Sequence, residues 1–428
     1  MNRQPYLESK KLSALLFAGC FAVYSASYVG RINLSAAIAD RVAAGLFTKE
    51  EAGLIGTVFF VVYGSFQIIN GVLGDKISPF GMIIAGTFGG AVANAGMAFC
   101  STHTQMAVVW GVNGLAMSLL WVAILKILAN IINDDMRQRA CLNLSATLPV
   151  GSVLAYLLSA FSLKFLSWQF VFLIPAGILF AVAVFFTLSY RAAKPHITMR
   201  EVPLPEKVGA KGAKSGKLLP LFAVSGLLLV LPADVIHGAI KEGITTWEPT
   251  MIAQVFNKSV SLSTLSSVLL PVFNLTGIYL ITPIYKKLCK SNELVTGTLI
   301  VAFSSVVLLA LTFLLKSGVL PLGGAVVMLS TVTMAMGTFN YMIITCVPMR
   351  FAALGKTATV SGVMNATAYV GCAFASAGFG SISEKYGWVA CVAVWAALAL
   401  AGVALTAVAA LRWKKFIARD DTAAAERS

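Results

Sequence analysis

Charged side chains are scarce in this sequence. Asp, Glu, Lys and Arg together make up 11% of its 428 residues, whereas soluble globular proteins carry roughly 25%. Hydrophobic residues make up 58%, so a water-facing surface cannot be built from this composition. Apolar runs of about 20 residues or more, enough to cross a bilayer, recur along the whole chain. We therefore expect an integral membrane protein that is surrounded by the lipid bilayer.

The sequence also lacks the patterns of disulfide, metal and catalytic sites. Its seven Cys fall mostly within apolar runs, with no C-x-x-C pair and no His at ligand spacing, which argues against a disulfide framework or a zinc site. No nucleophile, base and orienting residue recur with usable spacing, so an enzyme is not expected. We expect no metal and no cofactor.

The net charge of +15 has the sign that a nucleic-acid partner would require. The basic residues lie instead in short clusters between apolar runs, and Lys and Arg are not interleaved with aromatic residues on one surface. We therefore expect no nucleic-acid partner. The first apolar run is too long for the core of a signal peptide, so it is expected to remain as the first span.

Twelve apolar runs are bounded by charged residues, Gly and Pro. Each is far too long for a barrel strand, and open sheet edges are excluded in lipid, so the runs are expected to be helices. The predicted fold is an all-α integral membrane protein with twelve transmembrane helices in two pseudo-symmetric six-helix halves. The runs cover residues 12–39, 51–74, 80–100, 105–132, 139–163, 168–190, 218–255, 262–286, 294–315, 322–346, 357–381 and 388–411.

The distribution of basic residues predicts the orientation in the membrane. With a cytoplasmic N-terminus, the inner segments hold 23 of the 32 Lys and Arg, the outer loops hold 6, and three lie within spans. This bias follows the positive-inside rule. We therefore expect a protein of the cell membrane (the inner membrane) with both termini on the cytoplasmic side. The predicted domains are an N-terminal bundle over 1–190, a basic cytoplasmic linker over 191–217 and a C-terminal bundle over 218–428.

A short motif repeats between the two halves. The pattern A-T-x-x-V-G occurs at 146–151 and again at 366–371, and Trp168 and Trp388 each follow the last Gly by 17 residues. The offset is 220 residues, and both copies fall on the fifth helix of their half. Two related halves that close on a site at the membrane midplane are a recurring design of secondary transporters.

Arg31 is a charged residue within the first predicted span. Tyr24, Tyr28, Arg31 and Ser35 share one helix face by their spacing. The run 12–39 contains no acidic residue, and none lies deep in helices 2 to 6. A charge inside a span is costly and usually faces a cavity or a partner, which favours a bound anion held by a bidentate guanidinium. The alternative is a structural Arg bonded to backbone carbonyls.

Lys241 is the matching cation in the seventh span. Asp234, His237 and Lys241 share a helix face, and Glu242 is adjacent. Counted from the centres of their spans, Arg31 and Lys241 both lie roughly 7 to 9 Å toward the outer side, so we expect them to face one cavity from opposite halves. The alternative is that Lys241 and Asp234 neutralise each other.

Further polar residues in the spans are candidates for the substrate path. Lys126 lies in helix 4, roughly 12 Å toward the cytoplasm from its centre, where it either faces the cavity or extends to the headgroups. Asn365 with Tyr369 and Tyr63 with Gln67 are i, i+4 pairs. Hydrogen bonding between helices is the alternative use of both pairs.

Two segments are candidates for gates. Gly243–Pro249 contains Gly, two Thr, Trp247 and Pro, which predicts a break or a kink in the seventh helix and a flexible outer gate. The turn 71–76 ends helix 2 with glycines that permit close helix approach. Asp75 in this turn is expected to pair with a basic residue of a neighbouring helix, and opening would break that pair.

Twelve spans, a long basic central loop and the turn G-x-x-G-D-K at 71–76 resemble the major facilitator superfamily across nearly the whole chain. Tyr28–Ser35 and Lys241–Thr250 are similar to segments of the organophosphate:phosphate antiporter family, which includes glycerol-phosphate and hexose-phosphate transporters. The resemblance implies that two basic residues at these places bind phosphate. Arg31 matches directly, and Lys241 stands where well-known members have Arg.

The sequence departs from that family in the fifth helix, where the matching stretch 145–151 has no His. The Arg-x-Asn-x-Ser pattern also resembles anion:cation symporters for hexuronates and similar acids. Those symporters usually carry an acidic residue just before the Arg, and this sequence has Gly30 at that position. In that alternative, Glu242, Asp234 or His237 carries the proton.

The leading hypothesis is secondary active transport of a small organic anion, phosphorylated or carboxylated, by alternating access. Phosphate or a proton is the expected coupled ion, and a monomer is the expected state. The alternatives are a proton-coupled symporter of a sugar acid or other carboxylate, and a transporter-like sensor of sugar phosphates.

Overall fold

The structure is a computed structural model that describes residues 2–73, 77–202, 218–289, 292–351 and 356–425. Helices make up nearly all of this part of the chain, because backbone polar groups in lipid must bond within their own segment. The elements are β1 (Asn2–Leu7), α1 (Lys10–Ala43), α2 (Lys49–Leu73), α3 (Pro79–Met97), α4 (His103–Asn130), α5 (Asp134–Leu144), α6 (Thr147–Phe165), α7 (Phe170–Ala193), β2 (Ile197–Val202), α8 (Leu218–Ser225), α9 (Leu227–Val255), α10 (Val260–Ser266), α11 (Leu269–Pro283), α12 (Glu293–Ser317), α13 (Leu322–Tyr341), α14 (Val347–Met349) and α15 (Thr357–Ala425), with π-helical turns at Ile284–Leu288 and Met342–Cys346.

In the described part of the chain, each of the twelve predicted spans is mainly helical, and the fifth and eighth are divided between α5 and α6 and between α10 and α11. The predicted fold class is confirmed. Nine helices of the described chain are individually long and apolar enough to cross a membrane, and α8 and α9, bent by 87° at their junction, form a tenth. α2 coincides with the second predicted span. α15 contains the last two predicted spans, which separate at Gly387, where φ is 80°, a conformation that favours glycine.

The seventh span differs from its prediction. The sequence predicts a break at Gly243–Pro249, but α9 continues through this segment as an α-helix. Pro249 lacks the N–H that would bond to the carbonyl of Thr245, and the hydroxyl of Tyr156 donates to that carbonyl at 3.4 Å. The chain bends instead at Gly226, whose φ is 84°. The predicted break is therefore wrong.

The repeated glycine of the two halves has the same packing role in each. Gly151 on α6 lies so close to α1 that a Cβ there would overlap the carbonyl oxygen of Ser25. Gly371 on α15 lies as close to α9, and a Cβ there would overlap the carbonyl oxygen of Val235. In each half, the fifth helix thus packs on the first through a glycine, as expected for small residues at membrane helix interfaces.

The chain forms two compact units, which we describe separately. In the first unit, α2 and α3 pack on α4, α3 also packs on α7, and α1 packs on α6 and α7. In the second unit, α12 packs on α13. The first comprises Met1–Glu206, Thr245–Val272 and Ser376–Ser381, and the second comprises Lys207–Ile244, Phe273–Ala375 and Ile382–Ser428.

The N-terminal segment and the start of the central linker form a two-stranded antiparallel sheet. β1 and β2 pair from Asn2 opposite Val202 to Leu7 opposite Ile197. Leu7 is fully buried, and its N–H donates to the carbonyl of Ile131 after α4 at 2.8 Å. Part of the linker is thereby attached to the N-terminal helices, an attachment that the sequence does not predict.

A carboxylate at the start of α5 contacts this sheet. Asp134 forms an ion pair with Arg200 of β2 at 2.5 Å, and the Arg200 guanidinium lies 4.2 Å from the ring centre of Tyr6 in β1. The hydrogen bond from Arg200 lowers the pKa of Asp134. Because the pKa is lower in the folded protein, this contact stabilises the attachment above the ordinary pKa of Asp, and the stabilisation is lost as the pH falls through the folded value.

We expect Asp134→Asn to loosen the sheet, because it removes the charge that binds Arg200. The measurement is hydrogen exchange at the amides of β1 and β2, corrected for intrinsic rates, which should be faster in the variant. Asp135→Asn is the matched control, since Asp135 pairs with Lys10 at 2.7 Å. Lowering the pH below about 4, the ordinary pKa of Asp, should speed exchange in the wild type. Equal exchange in both variants would contradict the role of Asp134.

We expect Gly371→Ala to lower the melting temperature, because the new methyl group meets the backbone of α9 and overpacking of this kind costs about 1–3 kcal/mol. Gly362→Ala on the same helix is the control. No heavy atom of the described chain lies within 4 Å of a Cβ placed at Gly362, so that variant should melt at or above the wild-type temperature. A Gly371→Ala protein as stable as Gly362→Ala would show that the close approach is not required.

Candidate functional site

Arg31 lies among aromatic rings in the first unit. Its guanidinium carbon is 4.5 Å from the ring centre of Tyr63, 5.2 Å from that of Tyr28 and 5.4 Å from that of Phe59. Tyr28 precedes Arg31 by one turn of α1, and the other two rings come from α2, where they stack at 5.6 Å. We call Arg31 and these three rings the arginine cage. Phe59 is a member that sequence reasoning missed.

The rings of the cage belong to a larger aromatic cluster. Tyr28 contacts Tyr24, whose ring centre lies 5.0 Å from that of Trp121 on α4. On the other side, Phe59 lies 5.8 Å from Trp110, which is fully buried. Packing on both sides restricts the cage rings to fixed positions, so the guanidinium is held by rigid partners.

Three buried asparagines fix the backbone of α1 beside Arg31. The side chains of Asn94 and Asn113 donate to the carbonyl of Gly30 at 3.1 and 2.9 Å. Asn33 donates to Asn94 and to the carbonyl of Val171, both at 2.9 Å. Sequence reasoning missed Asn94 and Asn113, although polar side chains in apolar helices 3 and 4 are a recognisable signal of interhelical hydrogen bonds.

Gly30 stands where the resemblance to anion:cation symporters would place an acidic residue. A Cβ at Gly30 would lie 2.7 Å from Leu179 and 3.0 Å from the amide nitrogen of Asn94. This space is filled by packing side chains, so a carboxylate here would require both of them to move. The packing around Gly30 therefore leaves no room for an acidic side chain unless these neighbours move.

Asp234 and His237 lie together in the second unit, on one face of α9. Nδ1 of His237 is 3.1 Å from Oδ1 of Asp234, and the hydroxyl oxygen of Thr367 on α15 lies 2.9 Å from the other carboxylate oxygen. Both residues of the pair are at most 3% exposed. The ring centre of His237 is 5.5 Å from that of Phe339 on α13. Asp234 is therefore engaged by His237 and Thr367, and Thr367 is a contact that sequence reasoning missed.

Trp247, a predicted gate residue, is fully buried in the first unit. Its indole N–H donates to the carbonyl of Ser376 at 3.0 Å. The adjacent Glu248, also fully buried, accepts a hydrogen bond from Ser267. Trp247 therefore belongs to a packed contact rather than to a break in the helix. The other predicted gate residue, Asp75, lies outside the described residues.

The structure brings Tyr28, Tyr63 and Gln67 together with Arg31, because the Gln67 amide donates to the Tyr63 hydroxyl at 3.1 Å. The remaining candidates are half-buried on membrane helices, and their part in a site stays a prediction. These are Lys126 on α4, Lys241 and Glu242 on α9, and Asn365 and Tyr369 on α15.

The guanidinium of the arginine cage is chemically suited to bind oxyanions. The aromatic rings stabilise the positive charge of the guanidinium, and the N–H donors of a guanidinium match the oxygens of carboxylate or phosphate. Within the described residues, no group of His, Cys, Asp and Glu is arranged to hold a metal ion. Apolar membrane helices that hold a caged cation and a buried acid–imidazole pair are typical of membrane transport proteins.

The chain belongs to the Major Facilitator Superfamily, whose family model matches residues 15–376. The glycerol-3-phosphate transporter of Bacillus subtilis (strain 168) is 24% identical over 396 residues, which cover 89% of this chain and 88% of that protein. A probable hexose phosphate transport protein of Chlamydia trachomatis is 24% identical over 165 residues, 37% of this chain and 35% of that protein. These relatives confirm the resemblance to organophosphate transporters, and family and relatives alike are transporters, not enzymes.

The fold also matches a solved structure. The crystal structure of a mutant form of the peptide transporter POT has a TM-score of 0.74 with 15% sequence identity, and the match covers 96% of this chain and 97% of that one. At this identity the likeness concerns the fold alone. The chain is thus a multi-pass membrane protein with the major facilitator fold.

We expect Tyr63→Phe to keep the melting temperature of the wild type and Tyr63→Leu to lower it. Phe retains the ring that lies 4.5 Å from Arg31, whereas Leu removes a cation–π contact worth about 0.5–2 kcal/mol. Thermal unfolding of the purified variants in detergent is the measurement. An equal loss in both variants would assign the effect to the phenol hydroxyl and its bond with Gln67 instead of the ring.

Proposed function

We propose that the protein is a secondary active transporter of a small organic anion, and that its substrate class is phosphorylated sugars and organophosphates. The observation that carries this proposal is the arginine cage, in which three ring centres lie within 5.4 Å of the Arg31 guanidinium. A cation in an apolar membrane helix is costly and marks the path of a polar solute. A phosphate group matches the N–H edge of the guanidinium.

The names of the relatives support this substrate class, since they refer to glycerol phosphate and hexose phosphate. In the proposed mechanism, the protein alternates between states open to either side of the membrane. Arg31 and Lys241 supply positive charge to the anion, and the difference in affinity between the two states lets the substrate shift their equilibrium.

The proposed site contains the residues predicted from the sequence. The proposed substrate-binding residues are Arg31, Lys241, Lys126, Tyr28, Tyr63, Gln67, Asn365 and Tyr369, and the proposed coupling or gating residues are Asp234, His237, Glu242, Trp247 and Asp75. We further propose that the protein acts as a monomer with both termini in the cytoplasm, since 23 of its 32 basic residues lie on that side under this orientation.

Proton-coupled symport of a sugar acid or another carboxylate is the second candidate function. The contact between Asp234 and His237 at 3.1 Å favours it, since it buries a titratable pair inside a membrane helix. Flux of sugar acids in parallel with sugar phosphates distinguishes the two substrate classes. A sensor would bind the sugar phosphate without moving it across the membrane.

We expect Arg31→Gln to reduce counterflow of glycerol 3-phosphate or glucose 6-phosphate in proteoliposomes by about 30-fold or more, because a charged hydrogen-bonding partner of a phosphate is worth about 2–5 kcal/mol. Arg31→Lys should recover only part of the flux, since an ammonium lacks the fork geometry. Lys241→Arg should retain transport, and Lys241→Gln should lose it.

Arg41→Gln is the matched control, because Arg41 lies on the same helix and over an aromatic ring, 4.3 Å from the centre of Trp168. Its guanidinium pairs with Asp40 at 2.6 Å, so this variant should transport as the wild type does. Full transport by Arg31→Gln would exclude the arginine cage as the anion site. Counterflow of sugar acids but of no phosphate ester would replace the proposed substrate class with the second candidate.

A further inference from the structure

We infer that the Asp234–His237 pair, held by Thr367, is the proton-binding site that couples proton movement to transport of the anion. This inference rests on the proposed function, that the chain transports a small organic anion, and it names the coupled ion. The imidazole is the side chain whose charge changes near physiological pH. The three residues place such a group in the second unit, inside a membrane helix.

In the proposed site Asp234 is ionised. A carboxylate only accepts, so Nδ1–H of His237 then donates to Oδ1 at 3.1 Å. The Thr367 hydroxyl lies 2.9 Å from Oδ2 and 2.7 Å from the carbonyl oxygen of Met364, and its single hydrogen donates to one of the two. Nε2 of the neutral ring then carries the lone pair. This tautomer is assigned from the bonding network, and it leaves one ring nitrogen ready to accept a proton.

That nitrogen is buried, and it has no hydrogen-bond partner among the described residues. The His237 side chain is 3% exposed, and leaving such a buried acceptor unsatisfied costs about 1–3 kcal/mol. A ring needed only for structure would be expected to bond through both nitrogens. An oriented ring with one bonded and one unbonded nitrogen is instead suited to take up and release a proton.

The neighbouring helices provide little competing charge. α9 contacts α15 on both sides of Gly387: Val235 lies at Gly371, and Ile236 lies at Gly402. It contacts α13 through His237 and Phe339. The stretches 322–341, 357–383 and 388–411 contain no Asp, Glu, Lys or Arg. The titratable groups in these three stretches are Tyr341, Tyr369, Cys372 and Cys391, and α9 itself carries Lys241 and Glu242 close to the pair.

The proton step makes and breaks one bond. A hydronium ion on the open side gives a proton to Nε2, so its O–H bond breaks, an N–H bond forms and water is left, while Nδ1–H remains bonded to Asp234. The imidazolium thus stays paired with the carboxylate, and Nε2–H gives its proton to water on the other side after the change of state. No bond of the anion is broken. Each cycle moves one proton with one anion.

Binding of the proton and of the anion should reinforce each other. Protonation adds one positive charge on α9, one helical turn before Lys241, and this charge attracts the anion. By thermodynamic reciprocity, the bound anion raises the affinity of His237 for its proton by the same factor. A more acidic outer solution should therefore drive uptake.

The test compares two fluxes of glycerol 3-phosphate in the same proteoliposomes: counterflow without a pH gradient, and accumulation driven by a gradient of one pH unit, which supports about tenfold accumulation for one coupled proton. We expect wild type to show both. In His237→Gln, gradient-driven accumulation should fall to the level without a gradient, and counterflow should fall by a smaller factor. The ratio of the two fluxes is the readout that a merely misfolded variant would not change.

His103→Gln and His196→Gln are the matched controls, because they are the other two histidines of the chain. Asp234→Asn and Thr367→Val test the pair if His237→Gln does not fold, and both should shift the pH profile of uptake. Wild-type counterflow without gradient-driven accumulation would overturn the proton site and leave the proposed function standing. Accumulation driven by internal phosphate alone would overturn it too. Absence of flux for every phosphate ester and sugar acid would overturn the proposed function and, with it, this inference.

The double variant His103→Gln/His196→Gln gives a direct measurement, since His237 is then its only histidine. Its imidazole nitrogen signals report protonation by ¹⁵N NMR. Adding glycerol 3-phosphate at neutral pH, with binding followed by the thermal shift, should move the ring toward the protonated form. A ring that stays neutral between pH 5.5 and 8 while the anion is bound would overturn the inference.

Discussion

The cost of placing a charge in the apolar interior of a membrane bundle governs this structure. Arg31 is compatible with α1 because three rings stabilise its positive charge and because asparagine side chains bind the backbone beside it. Asp234 is compatible with α9 because polar groups of His237 and Thr367 lie within hydrogen-bond distance of its two oxygens. Each charge needs surrounding groups that stabilise it, a ring cluster for Arg31 and hydrogen-bonding groups for Asp234. The presence of charges that need such support indicates a function.

Features that depend on neighbours along one helix were predictable from the sequence. The twelve spans follow from hydrophobic length, and the stripe that carries Tyr28 and Arg31 follows from helical periodicity. The pairing of Asp234 with His237 also follows from their spacing, since residues three apart share a helix face. The repeated glycine was predictable as a pattern, but its reason lies in the contacts of Gly151 and Gly371 with backbone carbonyls of another helix.

Features that join distant segments were not predictable. Phe59 comes from another helix than Arg31, Thr367 follows Asp234 by 133 residues, and β1 pairs with a strand nearly 200 residues later. The predicted break at Gly243–Pro249 failed for the same reason. Local rules treat Pro249 as a helix breaker, whereas a hydroxyl from α6 satisfies the carbonyl that proline leaves without its helical donor.

The two charged sites divide the work of a coupled transporter in the proposed mechanism. A guanidinium keeps its charge at every physiological pH, so Arg31 attracts an anion but cannot report the proton concentration. An imidazole changes its charge in that range, so His237 can make anion affinity depend on pH. The packing at Gly30 agrees with this separation of roles, because Leu179 and Asn94 fill the space that an acidic side chain beside Arg31 would need. We propose that the switchable charge lies on another helix, α9, which carries a buried imidazole with one nitrogen 3.1 Å from a carboxylate oxygen.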